Sequence, residues 1–196
     1  MKVIAFNGSP RKDGNTAHLL GHVCSVLQQR GIETEIVQVG GLPLRGCTAC
    51  MTCRENRDLR CVIDDDIVNS CIEKMVEADG IIFGSPTYFA DVTPEIKALI
   101  DRAGFAGRGA GNVYARKLGA AVIAMRRSGG MHAFDTINHF FGISQMITVG
   151  SSYWNIGLGG DPGEVEDDEE GVRTMQMLGE TMAWLLRCIE AGPAPE

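Results

Sequence analysis

The sequence predicts an α/β domain on a doubly wound, five-stranded parallel sheet, and three observations point to it. Apolar strand-like runs alternate five times with stretches of helical periodicity. The runs at 3–6, 80–84 and 118–124 carry almost no polar side chains, as strands do when helices cover both faces of a sheet. The three most unusual loops, 8–16, 85–91 and 125–130, each follow the carboxyl end of a strand. They should therefore converge where such sheets bind ligands.

Each element has a local reason. Val3, Ile4, Ala5 and Phe6 form the first strand, and Leu20, Val23, Cys24 and Leu27 give the next helix one apolar face. Gly31 closes that helix, and Thr, Ile and Val within 33–39 favour a second strand. Residues 40–62 show no period. Asp64, Asp65 and Asp66 open a helix with Val68, Ile72, Met75 and Val76 on one face, and negative charge at a helix start suits the dipole without any ligand. Thr93-Pro94 starts the helix after the third strand, with Ile96, Leu99, Ile100 and Ala103 inward. Four glycines and three cations then mark 104–117 as a loop. The fourth strand, a helix through Phe141 and a fifth strand at 146–149 follow, and 150–163 reads as irregular. The acidic run 164–170 precedes a last helix with the stripe Met175, Leu178, Met182, Leu185 and Ile189. One domain spans 1–190, with the cysteine group 47–61 inserted after the second strand, and 191–196 form a frayed tail.

The 196 residues carry a net charge of -7 with a pI near 5.1, which argues against a nucleic-acid partner, since backbone phosphates demand a basic face. No apolar run reaches membrane-spanning length, and Met1-Lys2 leads straight into the first strand. The expectation is a cytoplasmic protein with no membrane anchor and no signal peptide. Seven cysteines, an odd number, sit badly with a secreted disulfide framework. Four of them crowd into 47–61, which points to metal or redox work. Cys24, Cys71 and Cys188 lie among apolar helical residues and read as packing groups.

The first loop joins a strand to a helix through Gly8-Ser9-Pro10-Arg11-Lys12-Asp13-Gly14-Asn15-Thr16. Free N–H groups of the helix's first turn and the helix dipole make this a phosphate cradle. Ser9, Asn15 and Thr16 add short polar side chains, and Arg11 adds a planar fork. It is not a P-loop, because Gly8 to Gly14 is one residue too long and Asn15 stands where lysine belongs. The dinucleotide fingerprint is absent too. A terminal monophosphate suits what remains, with an ordinary strand-to-helix turn as the plain alternative. The second loop brings Tyr88-Phe89 on a proline-stiffened turn, and the third brings glycine N–H groups beside Arg126 and Arg127. A monophosphate joined to a flat, polar-edged ring satisfies all three loops, and FMN is such a molecule. Its reduced ring gains negative charge that N–H groups or a guanidinium stabilise.

The stretches Gly-Ser-Pro-Arg-Lys-Asp-Gly-Asn-Thr, Phe-Gly-Ser-Pro-Thr-Tyr-Phe and Ile-Lys-Ala-Leu-Ile-Asp-Arg resemble the NADPH-dependent FMN reductase family of flavodoxin-like proteins. With the cysteine group included, the chain is most similar to the iron–sulfur flavoprotein branch. The resemblance implies a flavodoxin-like strand order 2-1-3-4-5 and bound FMN. It implies phosphate contacts from Ser9, Arg11, Asn15 and Thr16, and ring and ribityl contacts from Ser85, Pro86, Thr87, Tyr88 and Phe89. Arg127, Ser128, Gly129 and Gly130 complete the set on the third loop. It also implies a homodimer or homotetramer with FMN near subunit contacts, where Trp154 approaches a neighbour's flavin.

Cys47, Cys50 and Cys53 follow at two-residue gaps, and Cys61 returns after seven residues. Such compactness suits a 4Fe–4S cluster. Zinc, which usually takes two separated pairs, and unmetallated thiols are the alternatives. Arg54, Arg57 and Arg60 flank the group and either attract an acidic carrier, soften the charge of a cluster or face solvent. His18 and His22 lie opposite the apolar helix face and read as solvent-facing, with no third ligand.

The expected protein is an FMN-dependent oxidoreductase relaying electrons between a cluster on Cys47, Cys50, Cys53 and Cys61, FMN and a small-molecule acceptor. A ferredoxin-like donor or NAD(P)H supplies the electrons. No side chain is singled out for acid–base work, because the flavin carries the chemistry. The alternatives are a cluster-free NAD(P)H:FMN or quinone reductase, and a non-catalytic phosphate-binding module with zinc on its cysteines.

Overall fold

The computed structural model describes residues 1–193, so 194–196 of the expected tail lie outside the described residues. The strands are β1 (Lys2–Asn7), β2 (Glu33–Gln38), β3 (Gly80–Pro86), β4 (Leu118–Met125), β5 (Ile147–Thr148) and β6 (Ile156–Leu158). They form one parallel sheet in the order β2-β1-β3-β4-β5, with β6 also on β4. The helices are α1 (Asn15–Gln29), α2 (Thr52–Asn56), α3 (Val68–Glu77), α4 (Pro94–Gly109), α5 (Gly130–Ile143) and α6 (Glu169–Ala191), with a 3-10 turn at Glu164–Asp167. Side chains alternate along each strand, so Ile4, Phe6, Ile81 and Phe83 meet α3, α4 and α5, while Val3, Ala5, Ile82 and Val122 meet α1 and α6. Phe83 is the keystone of the first core, stacked on Phe6 at 5.4 Å and on Phe141 at 5.9 Å. Among the described residues no helix is long and apolar enough to cross a membrane.

The structure departs from expectation where glycine was taken as a breaker. Residues 104–109, expected in a loop, continue α4. Their glycines mark close approaches: a Cβ on Gly107 would stand 2.2 Å from the Tyr114 ring, and one on Gly109 would stand 3.0 Å from Cys53 O. Likewise the irregular stretch 150–163 contains β6. The fifth strand is thus two pieces along one edge of β4, β5 beside Leu118 and Gly119 and β6 beside Ile123 to Met125. Gly157 sits within β6 because a Cβ there would meet Leu19 at 2.6 Å.

Two packing readings also change. Burial pushes the Cys24 and Cys71 thiols up to about 11 and about 12, as apolar packing groups require. Cys188, in contrast, is exposed. The buried face of α6 runs Met175, Leu178, Met182 and Leu186, leaving Leu185 half-buried and Ile189 outside. A stripe read at alternating gaps of three and four drifts off a straight helix by its last turns.

Candidate functional site

The first loop leaves β1 at Gly8, whose N–H donates to Gly84 O at 2.8 Å. Asn7 Oδ1 accepts from Ser9 N at 3.1 Å, and Ser9 Oγ accepts from Arg11 N at 3.2 Å, so short side chains wind the turn. Thr93 Oγ1 donates to Gly8 O at 2.9 Å and Gln38 Nε2 to Ser9 O at 2.7 Å, bracing it from outside. The product is a fixed cradle opening onto the N-terminus of α1.

Above the cradle lies an open cleft of about 220 Å³ at the crest of the sheet. Ser9, Arg11, Asn15 and Thr16 line it from the first loop, and Pro86, Thr87 and Tyr88 from the second. Met125 and Arg126 enter at the end of β4, and Gly159 and Gly160 close it from the loop after β6. Seven residues expected to contact FMN therefore share one space. Ser85 lies beneath it, its Oγ donating to Pro86 O at 2.8 Å and accepting from Thr93 N at 3.0 Å. Phe89 is wholly exposed at the loop tip, Arg127, Ser128 and Gly129 are exposed, and Gly130 begins α5. Gly159 and Gly160 were missed because the strand that delivers them was missed; the available signal was a glycine pair straight after Ile156-Gly157-Leu158.

Two hydroxyls indicate what the cleft accepts. Thr16 Oγ1 and Thr87 Oγ1 are buried and, among the described residues, have no hydrogen-bond partner. An unpartnered buried hydroxyl costs about 1–3 kcal/mol, so a ligand with acceptors relieves both. Thr16 stands in the first turn of α1, where an anion is favoured. Asn15 spends its Oδ1 on Gly163 N at 2.8 Å and Val165 N at 3.4 Å, tying the late loop to the cradle. The second loop is a two-residue hairpin in which Tyr88 and Asp91 exchange backbone bonds of 2.8 and 3.0 Å. Its Phe89 and Ala90 both sit at positive φ, 46° and 67°. Such strain is characteristic of ligand clamps.

The histidines find the partner that spacing did not show. Glu166 accepts from His18 Nδ1 at 2.7 Å and from His22 Nε2 at 2.9 Å; the two rings are half-buried and the carboxylate is exposed. Burial pushes the Glu166 carboxyl up, but those two hydrogen bonds outweigh it and hold it below the ordinary glutamate value. Among the described residues no three His, Cys, Asp or Glu groups are arranged to hold one metal ion.

Cys47, Cys50, Cys53 and Cys61 surround a second, smaller recess, walled by Ala49, Met51, Val62 and Phe105. Ala49, Met51, Arg57 and Leu59 hold the loop at positive φ, 54° to 64°. Ala49 N approaches Cys47 Sγ at 3.4 Å and Arg102 Nε approaches Cys61 Sγ at 3.2 Å. Hydrogen bonds from Thr52 hold the Cys50 thiol down, whereas burial, then the charges of Cys61, Cys47 and Cys50, push Cys53 up.

The acidic triplet before α3 serves this loop as well as the helix start, where Asp66 Oδ1 accepts from Val68 N at 3.0 Å. Asp65 takes a bidentate pair from Arg45 at 2.5 and 2.6 Å, Asp64 accepts from Arg60 at 3.0 Å, and Asp66 pairs with Arg102. α3 starts at Val68, beyond all three. Thr93 touches the cradle while Phe105 walls the cysteine recess, so the two places lie about 18 Å apart along α4.

Residues 1–161 match the NADPH-dependent FMN reductase family. An iron–sulfur flavoprotein of Methanocaldococcus jannaschii is 37% identical over 97% of this chain and 100% of its own length. Another, from Methanosarcina thermophila, is 33% identical over 97% of each chain. Among solved structures, RosB with a bound 8-demethyl-8-formylriboflavin-5'-phosphate aligns over 99% of this chain and 82% of its own, with a TM-score of 0.74 at 16% identity. A WrbA-like flavodoxin from Agrobacterium tumefaciens aligns over 95% and 97%, with a TM-score of 0.63 at 14% identity. These last two establish the flavodoxin-like fold. The crest cleft, the sheet order and the family match lead to one conclusion: this chain belongs to the NADPH-dependent FMN reductase family and is an FMN-dependent oxidoreductase.

Proposed function

We propose that the protein is an iron–sulfur flavoprotein, with FMN in the crest cleft and a 4Fe–4S cluster on Cys47, Cys50, Cys53 and Cys61. One observation carries the reading: four thiols share a partly closed, largely apolar recess to which backbone and guanidinium N–H donors are already directed. Three cysteines at two-residue gaps with a fourth returning after seven residues suit a cluster better than zinc, which usually takes two separated pairs. The names borne by the relatives of known sequence agree.

Bound FMN supplies hydride and single-electron chemistry at its ring. The chain's own work is to hold and tune it. Ser9, Arg11, Asn15 and Thr16 grip the phosphate, Ser85, Pro86, Thr87, Tyr88 and Phe89 serve ring and ribityl, and Arg127, Ser128, Gly129 and Gly130 complete the set, with Gly129 beside Thr87 and Ala90 of the second loop. Arg126 joins them as a cation at the cleft. NAD(P)H or an acidic ferredoxin-like carrier donates, and a small molecule accepts. A homodimer or homotetramer buries the exposed Tyr88, Phe89, Tyr153 and Trp154 and shortens the path between the recess of one copy and the cleft of another. Residues 1–190 act as one domain, and free thiols in this number suit a reducing cytoplasm.

Protein purified without oxygen and assayed for iron and sulfide tests the reading. Flavin bands over broad iron–sulfur absorption are expected. Flavin bands alone after iron and sulfide are supplied leave a cluster-free reductase, and zinc in place of iron overturns the cluster. Arg11→Ala is expected to weaken FMN binding about tenfold and riboflavin binding little, as flavin-fluorescence titration reads directly. Equal losses for both would move the phosphate away from Arg11.

A further inference from the structure

Arg102 has no solvent-exposed side-chain surface and heads the fully buried side chains by volume. It stands on α4 at the wall of the cysteine recess. Its Nε donates to Cys61 Sγ at 3.2 Å, its Nη1 to Arg45 O at 3.1 Å and to Asp66, and its Nη2 to Ile63 O at 2.6 Å. Arg45 lies two residues before Cys47, and Ile63 lies two residues after Cys61. One planar fork thus ties both stems of the cysteine loop together and touches a sulfur between them. Asp66 and the two carbonyls are the partners a buried guanidinium needs for stability. The bond to Cys61 goes to a soft, weak acceptor, and it is the one contact that bears on what the thiolate binds.

We infer that Arg102 is a positioning residue for the cluster end of the electron path. It sets the span between the loop stems and donates an N–H to the Cys61 sulfur. The inference rests on the cluster reading proposed above. Reduction adds one electron, from the ferredoxin-like or NAD(P)H-derived donor, to a group already negative through its four thiolates; no bond breaks and no proton moves. A donor and a cation at one of those sulfurs stabilise the form with the extra charge, so Arg102 biases the couple toward reduction.

The test compares wild type with Arg102→Lys and with the double variant Arg102→Gln/Asp66→Asn. Each is loaded anaerobically with ferrous iron and sulfide and titrated potentiometrically while visible and paramagnetic signals are followed. Lysine keeps a cation for Asp66 but has no Nε–H fork for Cys61. The double variant removes both charges without stranding a buried carboxylate. FMN content, set at the other end of α4, reports whether each variant is folded. The one-electron reduction constant is expected to fall about tenfold, ~59 mV, in both variants at normal FMN content. Loss of iron from a variant that keeps FMN also supports the clamp. A constant within about twofold of wild type in an FMN-replete, iron-loaded variant overturns the role of Arg102 and leaves the cluster standing. Wild-type protein that takes up no iron and sulfide overturns the cluster, and this inference with it.

Discussion

Gly40→Ala is expected to lower FMN affinity about 10- to 100-fold while the domain stays folded. A Cβ at this position would lie 2.3 Å from Gly8 O and 2.3 Å from Ser9 C, and neither is a side chain able to rotate away. Residue 40 has nowhere to retreat. Its N–H donates to Asn7 O at 3.0 Å, and Gln38 Nε2 is shared at 2.7 Å between Gly40 O and Ser9 O. Any shift of residue 40 therefore drags the cradle with it. Overpacking of this kind costs about 1–3 kcal/mol, and it falls on the turn that carries Ser9 and Arg11. Calorimetric titration with FMN measures the loss, and riboflavin, lacking the phosphate, should lose less. Unchanged FMN affinity would place the phosphate elsewhere and take the crest site with it.

Thr16→Val is expected to act with opposite signs on the two states of the protein. In the ligand-free chain the Thr16 hydroxyl is buried without a partner among the described residues, at 1% exposure, so a methyl in its place removes a cost. A gain of about 1 kcal/mol raises the melting temperature of a domain this size by roughly 2–4 °C. With FMN bound, the same change deletes a hydrogen bond to a charged phosphate, worth about 1.5–3 kcal/mol, and affinity should fall about 10- to 100-fold. Thermal melts of the apoprotein and a parallel FMN titration read the two signs. If both quantities fall together, the hydroxyl serves packing and not the ligand.

Much of the architecture was legible before any coordinates. Continuous apolar runs and period-3.6 patterns located β1 to β4 and most helices, and the first two loops meet at the crest as expected, while the third reaches it only through Met125 and Arg126. Glycine defeated the reading twice. In α4 and β6 it marks where another chain segment presses close, and a sequence read locally cannot separate that use from a breaker. The charged residues were harder still. Asp64, Asp65 and Asp66 suited a helix dipole by position, yet each is claimed by an arginine, the farthest 36 residues away. His18 and His22 lacked a third group until Glu166 arrived from 144 residues downstream.

The sequence alone determined the fold class, the tight turn between β1 and α1 and the grouping of four cysteines, because each is written in neighbouring residues, where covalent geometry imposes the period. The tertiary structure alone decided that Gly159 and Gly160 join the cleft, that the cysteine recess sits at the far end of α4, and that Arg102 reaches Cys61. Those depend on contacts between segments distant in the chain, and a side chain's partner across such a gap is set by packing rather than by spacing.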